Sequence, residues 1–227
     1  MKEKIILHLC ADTGSDSKPY TYDSQYKVIR IGSEIGVENF DEAAIKAVYE
    51  MHGEVYGIFA NPPCTEFSIA RTGGVARNPE EGMKLVRECQ RIISFCEKQG
   101  GLKFWVIENP ATGALRKYLG KPDFVYQPWW FGSPWTKKTA LWGKFNKPER
   151  VYQKWEEVAQ NPALYVRKRN RVVEKDRYTG KPEMHTLHKS AYKDIEEFQC
   201  LQEPENDMEF RSLCSQKFAK AFYEANK

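Results

Sequence analysis

Residues 55–68 read Val-Tyr-Gly-Ile-Phe-Ala-Asn-Pro-Pro-Cys-Thr-Glu-Phe-Ser, and this stretch is the clearest indication of the fold. The apolar run 55–59 is typical of a buried strand. Two prolines then stiffen a loop that carries Cys64. Open α/β sheets bind ligands at the carboxyl ends of their strands, so Cys64 is predicted to lie where such a sheet does chemistry.

A second apolar run follows and ends in an acidic residue. Residues 104–110 read Phe-Trp-Val-Ile-Glu-Asn-Pro, which places Glu108 at the end of another predicted strand. A thiol and a carboxyl group at two strand ends indicate one shared site.

The rest of the chain alternates strands and helices. Strands are predicted over 4–10, 26–31 and 102–107, and a helix over 42–51. A further helix begins at Asn78-Pro79, a capping residue followed by proline, and ends before Gly100. This alternation predicts an α/β fold with a doubly wound, mostly parallel sheet.

The pattern changes after residue 143, which suggests three parts. We expect a catalytic α/β core over 1–143 and a small inserted region over 144–190. Residues 191–227 are expected to return to the core, with one amphipathic helix over 210–226.

Composition narrows the class of protein. The chain has 227 residues, 41% hydrophobic residues and a net charge of +4, so a packed core is expected and any nucleic-acid surface must be local. Six cysteines without a Cys-x-x-Cys pair make a zinc ribbon improbable, and His185 and His188 alone do not predict a metal. The sequence shows neither a signal peptide nor a membrane span, so a reducing cytoplasm is the expected compartment.

A catalytic Cys64 must become a thiolate, although an ordinary thiol with a pKa near 8.5 is mostly protonated at neutral pH. Three kinds of help are open: a helix terminus, a basic neighbour or an activated substrate. A protonated Glu108 supplies the third by donating a proton to a ring nitrogen, which suits attack on a pyrimidine.

Three segments resemble the cytosine-C5 DNA methyltransferases. Residues 62–68 are similar to their Pro-Cys-Gln loop, which is followed by Phe-Ser. Residues 108–110 are similar to their Glu-Asn-Val motif. Residues 131–139, Phe-Gly-Ser-Pro-Trp-Thr-Lys-Lys-Thr, resemble their Tyr-Gly-Val-Pro-Gln-x-Arg-x-Arg segment. The resemblance implies an S-adenosylmethionine-dependent methyltransferase fold and a short, phage-like stand-alone member.

The resemblance also implies a mechanism on DNA. Cys64 would add to C6 of a flipped cytosine, and Glu108 would protonate N3. C5 would then take a methyl group from S-adenosylmethionine. Asn109 would order the strand-end turn, and Lys137 would support the catalytic loop or contact the nucleotide backbone.

Two further sets of residues follow from the resemblance and from charge. The cofactor-binding residues would be Cys10, Ala11, Asp12, Thr13, Gly14, Ser15, Glu34, Asn61 and Pro62. The nucleic-acid-binding residues would be Ser68, Arg71, Lys138, Arg167, Lys168, Arg169 and Arg171.

Departures from the family pattern keep alternatives open. Of the family's glycine turn after the first strand only Gly14 remains, Thr65 replaces a glutamine, and Thr139 replaces an arginine. The region available for target recognition is short. The alternatives are a C5-modifying enzyme with another donor or a tRNA substrate, and a catalytically silent nucleic-acid-binding relative. An unrelated cysteine hydrolase ranks last because no histidine lies in an evident motif with Cys64.

Overall fold

A six-stranded sheet forms the centre of the computed structural model, which describes residues 3–11, 13–32, 34–68, 76–165 and 181–227. The strands are β1 (Lys4–Leu9), β2 (Tyr26–Ile31), β3 (Val55–Ala60), β4 (Phe104–Pro110), β5 (Phe124–Tyr126) and β6 (Thr139–Lys144). Their order is β2-β1-β3-β4-β6-β5. The first four are mutually parallel, whereas β6 runs antiparallel to both β4 and β5.

The central strands are covered on both faces. The side chains of β1 from Ile5 to Leu9 are all buried, as expected for a parallel strand inside a sheet. In β3, a Cβ atom on Gly57 would lie 2.2 Å from the Phe104 ring, so only glycine allows this close packing. The predicted α/β class with a mostly parallel, doubly wound sheet is therefore confirmed.

Helices α1 (Glu42–His52) and α2 (Pro79–Gln99) pack on one face of the sheet. The side chain of Asn78 accepts a hydrogen bond from the Glu81 N–H at 3.3 Å, and Gly100 ends α2. The apolar side of α2 buries Met83, Val86, Cys89, Ile92, Ile93 and Cys96. Each fully buried large side chain of this kind stabilises the fold by roughly 1.5–3 kcal/mol.

The opposite face carries the end of the chain. Here α5 (Gln216–Asn226) packs Phe222 against Phe59 and Phe104, and stacks Phe218 on Tyr126 with ring centroids 3.6 Å apart. The sheet therefore has helices on both of its faces, as a doubly wound fold requires.

The single helix predicted over 210–226 is wrong. The structure has α4 (Asp207–Ser212), an extended break at Leu213, and then α5. The Ser215 side chain caps α5 by accepting from the Phe218 N–H at 3.1 Å. At the break, the Cys214 N–H donates to the Ser15 hydroxyl at 3.0 Å, so a long-range contact outweighs helical periodicity.

Short 3₁₀ segments and a short helix, α3 (Arg116–Leu119), complete the described chain. A separate core packs these 3₁₀ segments and α4 together, and its buried residues are Trp135, Leu164, Met184, Leu187, Tyr192, Ile195, Phe198, Phe210 and Leu213. The three-part division at 143 and 190 remains a prediction. Every helix in the described ranges is too short or too polar to cross a membrane.

Candidate active site

The carboxyl ends of β1, β3 and β4 lie side by side at one edge of the sheet. In the parallel register Leu9 pairs with Ala60, and Ala60 pairs with Ile107. The loop that carries Cys64 follows Ala60, and Glu108 follows Ile107. Strand register therefore brings together the thiol and the carboxyl group that the sequence predicted to share a site.

Local packing holds the Cys64 loop in a tight turn. The Asn109 side chain donates to the Pro62 carbonyl at 2.9 Å, and the Phe67 N–H donates to the Cys64 carbonyl at 2.9 Å. The Phe67 ring is fully buried, and a Cβ atom on Gly82 of α2 would lie 2.8 Å from it. These contacts fix the loop backbone while leaving the Cys64 thiol half-buried.

Glu108 has the surroundings of a carboxyl group that changes charge near neutral pH. Burial raises its pKa to about 7, the positive charge of Lys137 lowers it, the Asp16 carboxylate raises it, and a hydrogen bond from Asn61 lowers it. That bond runs from Asn61 Nδ2 to Glu108 Oε2 at 3.4 Å. Glu108 is therefore available as a proton donor at the pH of a cell.

The surroundings of Cys64 favour the thiol over the thiolate. Burial raises its pKa, the Glu108 carboxylate raises it further, and Lys137 lowers it. Of the three kinds of help considered from the sequence, a basic neighbour is present, but burial and Glu108 outweigh it. Activation of the substrate by a protonated Glu108 therefore fits this arrangement better than a free thiolate does.

Lys137 lies beside both groups and is held by the chain far along the sequence. Its ammonium donates to the carbonyls of Ser212 at 3.0 Å and Leu213 at 3.1 Å. These are carbonyls at the end of α4, where a positive charge is favoured. Lys137 thus anchors the break before α5 and at the same time lowers the pKa of Cys64 and of Glu108.

A cavity of about 430 Å³ opens beside the ends of β1 and β2. Its lining residues are Ala11, Thr13, Arg30, Gly32, Glu34, Ile35, Gln202, Glu203, Pro204, Glu205 and Glu209. The glutamates outnumber Arg30, the only basic residue of this lining, so the cavity favours a ligand that carries positive charge.

Three of the predicted cofactor-binding residues line this cavity: Ala11, Thr13 and Glu34. Gly14 packs under the Arg30 side chain, since a Cβ atom there would lie 2.8 Å from a guanidinium nitrogen. Gly14 also has a φ of +64°, a conformation that favours glycine. Asp12 lies outside the described residues.

The remaining predicted cofactor residues make other contacts. Cys10 has a φ of 56°, and its sulfur lies 4.0 Å from that of Cys89. Ser15 is fully buried, and its hydroxyl accepts from the Cys214 N–H. Asn61 bonds to Glu108, and the Pro62 carbonyl accepts from Asn109. The described side-chain contacts of Ser15 and Asn61 point to positioning of the turn and of the acid.

Comparison with known proteins bears on this geometry. No family model matches the chain. A protein named as a probable DNA (cytosine-5)-methyltransferase, from Frog virus 3 (isolate Goorha), is 28% identical over 102 residues. Over this segment the chain is similar to a cytosine-C5 methyltransferase. The match takes in 37% of this chain and 44% of the viral protein, so the chain spans less than half of that relative. A solved methyltransferase structure from Entamoeba histolytica covers 75% of this chain and 62% of its own, with 13% identity and a TM-score of 0.39.

The predicted nucleic-acid contacts of this methyltransferase-like chain are partly described. Lys138 is exposed directly after Lys137, and the Ser68 N–H donates to the Cys64 carbonyl at 2.7 Å. Five of the predicted residues lie outside the described ranges: Arg71, Arg167, Lys168, Arg169 and Arg171. Their role stays a prediction.

A group of aromatic and basic side chains lies close to the segment that carries Lys137. Trp129 and Trp155 are in edge contact at 6.1 Å, with the Lys181 ammonium 4.9 Å and 5.1 Å from their ring centres. The Arg150 guanidinium lies 4.8 Å from the Trp129 ring and 4.5 Å from the Trp130 ring. Trp129 and Trp130 are half-buried, in keeping with the walls of a cleft.

Sequence reasoning gave no role to His8, a buried histidine in β1 that bonds to Asn61 and Ser17. The available signal was a histidine within an otherwise apolar strand. It also missed the cavity wall built from residues 202–209, for which no local signal exists because the contact spans most of the chain.

The histidine pair near the end of the predicted inserted region has carboxylate partners. His185 lies 3.2 Å from Glu183, and His188 lies 3.7 Å from Asp207. Within the described ranges, histidine, cysteine and acidic side chains do not gather into a group of three that could hold a metal ion.

Proposed function

We propose that this chain is a DNA cytosine-C5 methyltransferase that uses Cys64 as nucleophile and Glu108 as proton donor. The observation that carries the proposal is the juxtaposition of a half-buried thiol with a carboxyl group whose pKa is about 7. The motif resemblance and the viral relative support the cytosine-C5 class. The reaction on DNA, the flipped base and the donor are parts of the proposal.

In the proposed reaction Glu108 acts as the acid and Cys64 as the nucleophile. Glu108 gives its proton to N3 of the cytosine while the Cys64 sulfur bonds to C6 and the thiol proton leaves to solvent. The electron pair of the C5–C6 double bond becomes available at C5, which bonds to the methyl group as that group leaves the sulfur of its donor. Loss of the C5 proton to a base then restores the C5–C6 double bond and expels the Cys64 sulfur as a thiolate, and the N3 proton returns to Glu108. Since a cytosine in a stacked duplex hides these atoms, the base must be flipped out.

S-adenosylmethionine is the proposed donor, and it supplies a methyl group on a positively charged sulfur. The cavity beside β1 and β2 has a volume within the usual range for small-molecule sites, roughly 300–1,000 Å³. Its excess of carboxylates suits a cationic ligand, and Glu34 would supply the acid that binds ribose hydroxyls, although it lies three residues after the end of β2. Ile35, which is 51% exposed, offers an apolar surface for an adenine ring.

DNA is the proposed substrate because the viral relative is named as a probable DNA (cytosine-5)-methyltransferase. Exposed Lys138 next to the site, with Arg150 and Lys181 among the tryptophans, provides cationic groups for phosphates. Aromatic faces beside basic groups also suit unstacked bases.

A covalent trap tests the proposal. We would incubate the protein with duplex and single-stranded DNA containing 5-fluorocytosine, with and without S-adenosylmethionine. Fluorine at C5 cannot leave as a proton, so the cysteine adduct survives denaturation after methyl transfer. We expect an adduct that requires both the cofactor and Cys64. Cys64→Ser should abolish it, and Cys200→Ser, at an exposed cysteine, should leave it intact.

The controls separate the alternatives. An adduct that forms on RNA but not on DNA would show that the substrate is RNA. A Cys64-dependent adduct that forms equally well with and without S-adenosylmethionine would point to another donor. Tight DNA binding without any adduct, unchanged by Cys64→Ser, would replace the proposal with a silent binding protein.

A further inference from the structure

A chain of polar side chains runs under the candidate site from β1 to Glu108. His8 Nε2 lies 2.9 Å from Asn61 Oδ1, and His8 Nδ1 lies 2.8 Å from the Ser17 hydroxyl. Asn61 Nδ2 donates to Glu108 Oε2, and the Ser17 hydroxyl lies 3.3 Å from the Gly14 carbonyl. The chain therefore joins the turn after β1 to the carboxyl group at the end of β4.

The hydrogen-bond donors in this chain can be assigned from one end. Because Asn61 Nδ2 donates to Glu108, Asn61 Oδ1 must accept, and His8 Nε2 must carry a hydrogen. A neutral His8 then accepts at Nδ1 from the Ser17 hydroxyl. A protonated His8 donates to Ser17 instead, and the hydroxyl turns to the Gly14 carbonyl. One rotating hydroxyl thus accommodates two protonation states of the chain.

Burial acts on both ends of the chain, and Asp16 and Asn61 affect the pKa of both His8 and Glu108. Burial lowers the pKa of His8, Asp16 and Asn61 raise it, and Arg30 lowers it. Glu108 faces Asp16 as well, together with Lys137. The negative charge of Glu108 also raises the pKa of Cys64, Tyr126 and Cys214.

A buried histidine with a purely structural role needs only a hydrogen-bond partner for each ring nitrogen. Here its partner Asn61 also donates a hydrogen bond from Nδ2 to the candidate acid, Glu108. Donation to Oε2 marks that atom as the carbonyl oxygen of the protonated carboxyl group and leaves the acid proton to Oε1. The hydrogen bonds from His8 to Asn61 and from Asn61 to Glu108 therefore orient the carboxyl group of Glu108.

We propose that His8 and Asn61 are positioning residues for Glu108, which orient its carboxyl group and tune its protonation, and link it to the turn at Gly14 beside the cofactor cavity. The role in methyl transfer rests on the proposed function, whereas the effect on Glu108 does not.

The test is a titration of Glu108 in the whole protein by ¹³C NMR of carboxyl-labelled glutamate, with Glu108→Gln to assign the signal. Asn61→Ser removes a bond that lowers the pKa of Glu108, so we expect its midpoint to rise above about 7. His8→Leu removes the hydrogen-bond donor to Asn61 Oδ1, so the titration midpoint of Glu108 should shift in this variant too. His8→Gln keeps a donor and an acceptor and should restore the wild-type midpoint. His52→Gln is the matched control, because His52 contacts Lys27 instead.

Methyl transfer to DNA is measured on the same variants. We expect Asn61→Ser to lower kcat by about tenfold or more, with little change in KM and with a displaced pH profile. Unshifted Glu108 midpoints in both Asn61→Ser and His8→Leu, with folding intact, would overturn the proposal. Shifted midpoints in a protein that transfers no methyl group would uphold the positioning role and overturn only the proposed function.

Discussion

Replacement of Glu108 by glutamine should make Cys64 more reactive while it abolishes catalysis. The Glu108 carboxylate raises the pKa of Cys64, second only to burial among the causes. Glutamine keeps the shape and removes the negative charge. The thiolate of Cys64 should therefore form more readily in Glu108→Gln than in the wild type, although the proton donor for the substrate is lost.

The size of the effect follows from Coulomb's law. For two unit charges on the order of 5–6 Å apart, an effective dielectric near 20 gives an interaction of about 3 kcal/mol. Partial exposure of the thiol and salt screening reduce this to about 1 kcal/mol, which is about a fivefold change in thiolate population. The difference should depend on pH, because Glu108 has a pKa of about 7. At pH 6 the wild-type carboxyl group is mostly protonated and the two proteins should react alike.

The assay is alkylation by iodoacetamide between pH 6 and 8, followed by mass spectrometry of the peptide that contains Cys64. The exposed Cys200 serves as an internal reference for the reagent. The rate ratio of Glu108→Gln to wild type should rise from near 1 at pH 6 to about 5 at pH 8. A ratio that stays constant with pH, or falls below 1, would refute the electrostatic link between the two groups.

Three further predictions follow from the same contacts. Lys137→Met should raise the Glu108 pKa above about 7, because the Lys137 charge lowers it; an unchanged carboxyl NMR titration would contradict this. Glu108→Gln should unfold at a higher denaturant concentration than wild type at pH 8 but not at pH 4, because a raised carboxyl pKa costs the folded state stability as pH rises from about 4.5 through 7. Equal midpoints at pH 8 would show that the carboxylate is not destabilising. Gly57→Ala should lower the free energy of unfolding by roughly 1–3 kcal/mol, because its Cβ would lie 2.2 Å from the Phe104 ring, and chemical denaturation without a shift would disprove that packing.

Local sequence patterns account for the parallel strands β1 to β4, the helix α2 and the pairing of Cys64 with Glu108. Asn78-Pro79 and Gly100 mark α2 through backbone capping, which depends on neighbouring residues only. Cys64 and Glu108 meet because parallel strands align their ends, a property of the fold class that the alternation of elements already predicts.

Contacts between distant parts of the chain account for what the sequence did not predict. The break at Leu213 depends on Lys137 and Ser15, which lie far away along the chain. The pairing of His8 with Asn61 depends on the register of β1 and β3, and a histidine in an apolar strand does not reveal its partner. Only the folded geometry gives these side chains a role.

The bonds from Lys137 to Ser212 and Leu213, and from Ser15 to Cys214, also set an order of events during synthesis. The Cys64 loop and Glu108 leave the ribosome early, but their lysine neighbour gains its anchor only after residues 212–214 have been made. A nascent or prematurely terminated chain therefore carries the reactive groups without the geometry that sets their charges. Synthesis of residues 212–214 is therefore needed before the surroundings of Cys64 and Glu108 are complete.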